Sequence, residues 1–190
     1  LSALEPGDTL WFRGGEYRCR TAKGAYYLGY IRPPRSGEPG MAISFRALPG
    51  ESVVLVAAED GQPLLGSNDG GPLNHVRFEG FVVRGGIGWI TGAGVEIAYC
   101  EVAGQYVDTT DNHDGIRIER ADGAWIHHNI IHGVKGRSGN STGIKIYSSQ
   151  NLIVEDNWVH DNTRGIFDKD SGTNNTYRRN LLSGNQDAQF

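Results

Sequence analysis

Ile126-His127-His128-Asn129-Ile130-Ile131, Val154-Glu155-Asp156-Asn157-Trp158-Val159 and Tyr177-Arg178-Arg179-Asn180-Leu181-Leu182 are three copies of one pattern: apolar, two polar, Asn, two apolar. Ile97-Ala98-Tyr99-Cys100-Glu101-Val102 is an earlier, degraded copy. A second segment repeats in phase: Gly86-Ile87-Gly88-Trp89, Gly115-Ile116-Arg117-Ile118, Gly143-Ile144-Lys145-Ile146 and Gly165-Ile166-Phe167-Asp168. Gly86 to Cys100, Gly115 to Asn129 and Gly143 to Asn157 are each fourteen positions apart, and Gly165 to Asn180 is fifteen. Only the connections vary, as in 105–114 and 133–142. A period in the twenties with insertions on one side is the mark of a solenoid.

The repeats are strands. Ile116 and Ile118 alternate with Arg117 and Glu119 at period two, and Gly, Asn, Asp and Ser punctuate the short runs. The regular leucine frame of leucine-rich repeats is missing. The expected architecture is an all-β parallel β-helix, each coil stacked about 4.8 Å above the last. Ile87, Ile116, Ile144 and Ile166 then form an inward column. Asn129, Asn157 and Asn180 form an inward amide ladder at a corner, with Cys100 in the same column. Asp168 falls on an inward position, in the slot of Trp89, Ile118 and Ile146, where a carboxylate needs a partner.

The chain has 190 residues, 28 of them Gly, with 21% charged residues and a net charge of -4. This composition fits one domain over 1–190 and many tight corners. The negative balance argues against nucleic acid, and no apolar run is long enough to span a membrane. The two cysteines, Cys19 and Cys100, could pair only if their coils place them together, and Cys100 reads as buried in a corner column. Both ends read as cut, since bare ends of a β-helix expose unpaired backbone. The expectation is a fragment or a chain that stacks end to end with a second copy, the alternative being a short protein whose terminal loops fold over the ends.

Two segments carry a family resemblance. Pro6-Gly7-Asp8-Thr9-Leu10-Trp11-Phe12-Arg13-Gly14-Gly15-Glu16-Tyr17 and the stretch from Gly40 through Pro49-Gly50-Glu51 to Leu55 resemble opening coils of the secreted right-handed β-helix proteins of the pectate-lyase-like superfamily. His75–Gly85 resembles the next coil. The resemblance implies a right-handed helix, secretion or cell-surface display, and a polysaccharide partner. It leaves open polysaccharide lyases, uronate epimerases, glycoside hydrolases, tailspikes and non-catalytic surface proteins.

The outward positions narrow the chemistry. Gly88, Arg117, Lys145 and Phe167 are expected to share one outer column, and Ile90, Glu119, Tyr147 and Lys169 the next. Cations and an aromatic ring on a sheet walled by long loops suit an acidic, uronate-containing glycan. Arg117 and Lys145, about 6 Å apart, repel by roughly 3 kcal/mol at an effective dielectric near 20, which lowers the lysine pKa. Lys145 is then the candidate base for the C5 proton of a uronate, and Arg117 the group that neutralises its carboxylate. Tyr147, Lys169 and Glu119 are candidate substrate contacts. The competing reading is a structural ladder of weak surface ion pairs.

Asp111-Asn112-His113-Asp114 precedes this strand. Asp111 and Asp114, with Glu119, make an oxygen-rich set suited to Ca²⁺. The segment also resembles the Asp-Pro-His-Asp motif of mannuronan C5-epimerases, with Asn112 in place of Pro. The resemblance implies His113 as the catalytic acid or base. The alternative is a polar turn. Asp114 and Asp168 together would allow a hydrolase pair. His127 over Glu155 and Arg178, and His132 over His160, read as stacked surface columns. Trp11, Tyr26, Tyr27 and Tyr30 either stack on sugars or cover the first coils. Three functions stand: a lyase through Lys145, a C5-epimerase through His113, and a non-catalytic adhesin, tailspike-like or carbohydrate-binding protein.

Overall fold

The computed structural model of the chain describes residues 3–18, 31, 33–57, 71–104, 106–107, 113–137, 139–170 and 172–187. Among these residues every named strand pairs in parallel, and no helix occurs. Two seven-stranded sheets run the length of the described solenoid, and a four-stranded sheet closes its later coils from Ile87 onward. One seven-stranded sheet carries Thr9–Phe12, Ile43–Ala47, Val76–Glu79, Glu96–Ala98, Trp125–His127, Ile153–Glu155 and Thr176–Arg178. A second takes the strand that follows each of these, ending with Glu101–Ala103, Ile130–His132, Trp158–His160 and Leu181–Ser183. A four-stranded sheet contains Ile87–Ala93, Asp114–Asp122, Thr142–Tyr147 and Arg164–Lys169.

Superposed coils follow from the repeat. Ile116 lies in register with Ile87 and Ile144, and Ile144 with Ile166; all four are buried. Large aromatics fill the earlier coils, where Phe45 stacks on Phe78 with centroids 5.5 Å apart. The core is a long thin file of Ile, Val, Leu and Phe enclosed by the three sheets. Burying each such side chain contributes about 1.5–3 kcal/mol.

The corners follow one rule. Tyr99, His128, Asp156 and Arg179 each precede the Asn (or Cys100) position and adopt φ of 54°, 55°, 55° and 55°. This left-handed residue turns the chain from the first sheet into the second, and the next side chain points inward. Asn157 Oδ1 accepts from the Asn129 backbone N–H and from its Nδ2, both at 3.0 Å. Asn157 Nδ2 donates to Asn180 Oδ1 and to the Ile126 carbonyl, each at 3.0 Å. Cys100 N donates to Asn129 Oδ1 at 2.9 Å, so the thiol slot continues the same column. A second amide column stands at the next corner. There Asn162 Nδ2 donates to Asn185 Oδ1 and to the Ile131 carbonyl, and Asn162 Oδ1 accepts from Val134 N.

One register expectation is corrected. The strand Ile87–Ala93 bulges opposite Arg117, so Ile90, not Trp89, pairs with Ile118. Ile90 is buried in the inner column and does not join Glu119, Tyr147 and Lys169 outside. A bulge inserts one residue and flips the alternation beyond it. A regular fourteen-residue spacing from Gly86 to Cys100 hides it, because the register shifts within the coil itself. Cys19, Tyr26, Tyr27 and Tyr30 lie outside the described residues. Trp11 is exposed, with the Arg46 guanidinium 5.2 Å from its ring centroid.

Candidate functional site

The four-stranded sheet carries the charged cluster. Arg117 and Glu119 alternate with Ile116 and Ile118 and therefore face out. Register places Lys145 beside Arg117, Tyr147 beside Glu119, Phe167 beside Lys145 and Lys169 beside Tyr147. The two long connections run together along one side of this sheet, since Tyr106–Val107 pairs in parallel with Lys135–Gly136.

Asp114 is the hub. The Arg117 guanidinium donates to Asp114 Oδ2 and to Glu119 Oε1, each at 3.3 Å. Lys145 Nζ lies 3.6 Å from Asp114 Oδ1 and donates to the Asn140 carbonyl at 3.2 Å. The Thr142 backbone N–H donates to Asp114 Oδ1 at 3.1 Å. Two cations and two carboxylates balance, which is what lets them be buried together. The side chains are closed in: Lys145 is 4% exposed and Asp114 2%. The solvated outer ladder considered for Arg117, Glu119 and Lys145 is therefore corrected to a buried, hydrogen-bonded cluster.

Burial dominates the electrostatics. It pushes the Lys145 ammonium below the ordinary lysine value; the Asp114 carboxylate opposes this, and Arg117 adds a smaller push down. The expected direction holds, but the main cause is desolvation, with Arg117 repulsion second to it among the lowering effects. Asp114 is raised by the same burial, against the pull of Lys145 and then Arg117.

The remaining candidates group around this hub. His113 is buried one position before Asp114, and its carbonyl accepts a bond from Thr142 N at 3.3 Å. Tyr147 lies on the rim, where Lys169 Nζ stands 5.4 Å from its ring centroid. A hydrogen bond to Asp170 raises the Tyr147 phenol. Asp111 lies outside the described residues. Asp114 and Glu119, the other two oxygen donors expected for Ca²⁺, meet across the Arg117 guanidinium. Among the described residues no three His, Cys, Asp or Glu side chains converge as a metal shell.

Asp168 does occupy the inward slot, in register with Ile146. Its Oδ2 accepts from the Tyr177 hydroxyl and from Asn175 Nδ2, while Oδ1 is buried with no hydrogen-bond partner among the described residues. Burial and this bond push the Tyr177 phenol up. Asp168 thus turns to Tyr177 and Asn175, whereas Asp114 turns to Arg117 and Lys145. The partners that sequence reasoning missed are Asn140 and Thr142. They act through the backbone, which every residue carries, so no residue type announces them.

The comparisons with known proteins bear on the fold. Residues 65–190 match the family model for the right handed beta helix region, and the chain belongs to that family. Its parallel solenoid is right-handed. Among solved structures it is similar to the crystal structure of pectate lyase Pel9A, with a TM-score of 0.51 and 14% sequence identity. The similarity covers 89% of this chain and 43% of that one, so the chain spans less than half of that enzyme's length. At that identity the likeness shows the fold. No curated protein sequence matches significantly.

Proposed function

We propose that this chain is a carbohydrate-active, lyase-like protein acting outside the cell on a uronate-containing polysaccharide. The observation that carries the reading is a lysine whose ammonium is weakened by burial, set in register beside an arginine. In this reading Lys145 Nζ takes the C5 proton of a uronate. The C5 electron pair forms the C4=C5 double bond as the C4–O bond breaks, and the departing oxygen takes a proton. Arg117 neutralises the uronate carboxylate while charge builds on it. The substrate takes the place now held by the Asn140 carbonyl on Lys145, and Tyr147 and Lys169 meet it at the rim. The fold of a pectate lyase supports the polymer class.

The test is ultraviolet absorbance of unsaturated product on pectate, alginate and glycosaminoglycans, with and without Ca²⁺. Wild type should form product and Lys145→Met should not. A Ca²⁺ requirement that is weakened by Asp111→Asn or Glu119→Gln would support these carboxylates, with Asp114, as the ion's ligands. Deuterium uptake at C5 without new absorbance would instead mark an epimerase, with His113 as the acid or base. A second reading has its own observation: all four charged heads are closed in. Glycan binding without turnover would make the cluster a lock between the 139–142 connection and the sheet.

A further inference from the structure

A different face of the solenoid carries a built aromatic surface. At the corner between the two seven-stranded sheets, Tyr99, His128, Asp156 and Arg179 repeat on successive rungs in the same left-handed conformation. The file spans three rung steps, about 14 Å. Beside it, Trp125 is fixed from behind. Its ring stacks on His127 with centroids 3.8 Å apart, and its Nε1 donates to Glu155 Oε1 at 2.8 Å. Tyr99 stacks on His128 at 4.9 Å and meets the His127 edge at 5.6 Å. Both Trp125 and Tyr99 remain exposed. They are rings held rigid with apolar surface left in water, which costs little further ordering when a ligand covers them.

The charges at the lower end are layered. Glu155 lies beneath, its side chain 6% exposed, and accepts from Arg178 and Arg179; Asp156 also accepts from Arg179. The two guanidinium side chains lie on top, 52% and 56% exposed. Solvent therefore meets cations, although the carboxylates balance them. Glu155 also joins this end to Trp125, so rings and cations form one continuous surface.

We propose that this corner is a second glycan-binding surface, which holds an extended strand of acidic polysaccharide. Trp125 and Tyr99 stack on sugar faces while Arg178 and Arg179 take its carboxylate or sulfate groups. It lies on another sheet from the Lys145 cluster and works as a docking surface for the polymer, not in chemistry. The proposal rests on the ligand class given above, not on turnover.

Electrophoresis through gels cast with polygalacturonate, with alginate or with neutral hydroxyethylcellulose tests it. Wild type should be retarded by at least one acidic gel and not by the neutral one. Trp125→Ala, Tyr99→Ala and the double variant Arg178→Gln/Arg179→Gln should each weaken retardation by about tenfold, as loss of a stacking or charged partner does. Far-ultraviolet circular dichroism checks that each is folded. Folded Trp125 and Arg178/Arg179 variants that migrate like wild type would overturn the surface and leave the catalytic reading intact. Retardation lost in these variants, with no product formed by wild type on any acidic polymer, would support the surface and sink the lyase. Equal retardation by the neutral gel would overturn the acidic class.

Discussion

Lys145 and Asp114 answer to pH together. A lysine lowered in the folded state binds fewer protons there than in the unfolded chain, between its folded value and the ordinary one near 10.5. Unfolding then takes up protons across that window, so this group's contribution to stability rises with pH up to that ordinary value and falls as pH drops. Urea unfolding of wild type and Lys145→Met between neutral pH and pH ~10 should show the steeper rise with pH in wild type. Loss of Lys145 also removes the largest force holding Asp114 down, so the Asp114 carboxyl should titrate higher in Lys145→Met, read by carboxyl carbon NMR. The amides are read on the same scale. Asn157→Leu strips the Asn129 N–H of its side-chain acceptor and takes the amide donor from the Ile126 carbonyl, while Asn129 Nδ2 keeps the Ile97 carbonyl; an orphaned buried group costs about 1–3 kcal/mol. Denaturant melts should place Asn157→Leu well below Asn180→Leu, because Asn180 is only half-buried.

At the scale of the strand, the glycines that open the first three of the Gly-Ile runs, Gly86, Gly115 and Gly143, have a steric cause. A Cβ on Gly86 would meet the Asp114 carbonyl at 2.5 Å, and one on Gly115 the Gly143 carbonyl at 2.6 Å. One on Gly143 would meet the Gly165 carbonyl at 3.0 Å and Val159 Cγ1 at 2.7 Å. Each rung therefore enters the four-stranded sheet against backbone of the next. Gly115→Ala should destabilise by about 1–3 kcal/mol through overpacking, seen as a lower urea midpoint with unchanged slope. The left-handed corners behave oppositely. Ser148 is exposed at φ 47°, and Ser148→Gly should be neutral or stabilising by up to about 1 kcal/mol as strain is relieved against added unfolded-state freedom. The phase of Gly and Asn made these elements legible in the sequence. The bulge at Gly88-Trp89 was not, because an inserted residue is visible only against the strand it fails to match. The corner residues Tyr99, His128, Asp156 and Arg179 were hidden too, since none is the glycine that normally signals a positive φ.

At the scale of the molecule, the solenoid seals its interior coil by coil. Cys100 is a free buried thiol, pushed up to about 12 by desolvation. In a Cys19→Ser background it should resist thiol reagents in native buffer and react at the rate at which the coils open in urea. The sequence alone determined the parallel stacking, the inward isoleucine and asparagine columns, and the pairing of Arg117 with Lys145. These depend on alternation and period, which are local and repeat until chance is excluded. It also placed Asp168 inside the cylinder. What only the tertiary structure decided is the state of those groups. Whether an outward lysine is solvated or sealed depends on which connection lies over the sheet, and there Asn140 and Asp114 close on Lys145. Which ring lies open on a corner depends in the same way on neighbours three rungs long. Period fixes the place of a side chain, whereas burial and charge are set by chain that is distant in sequence, and the repeat carries no record of it.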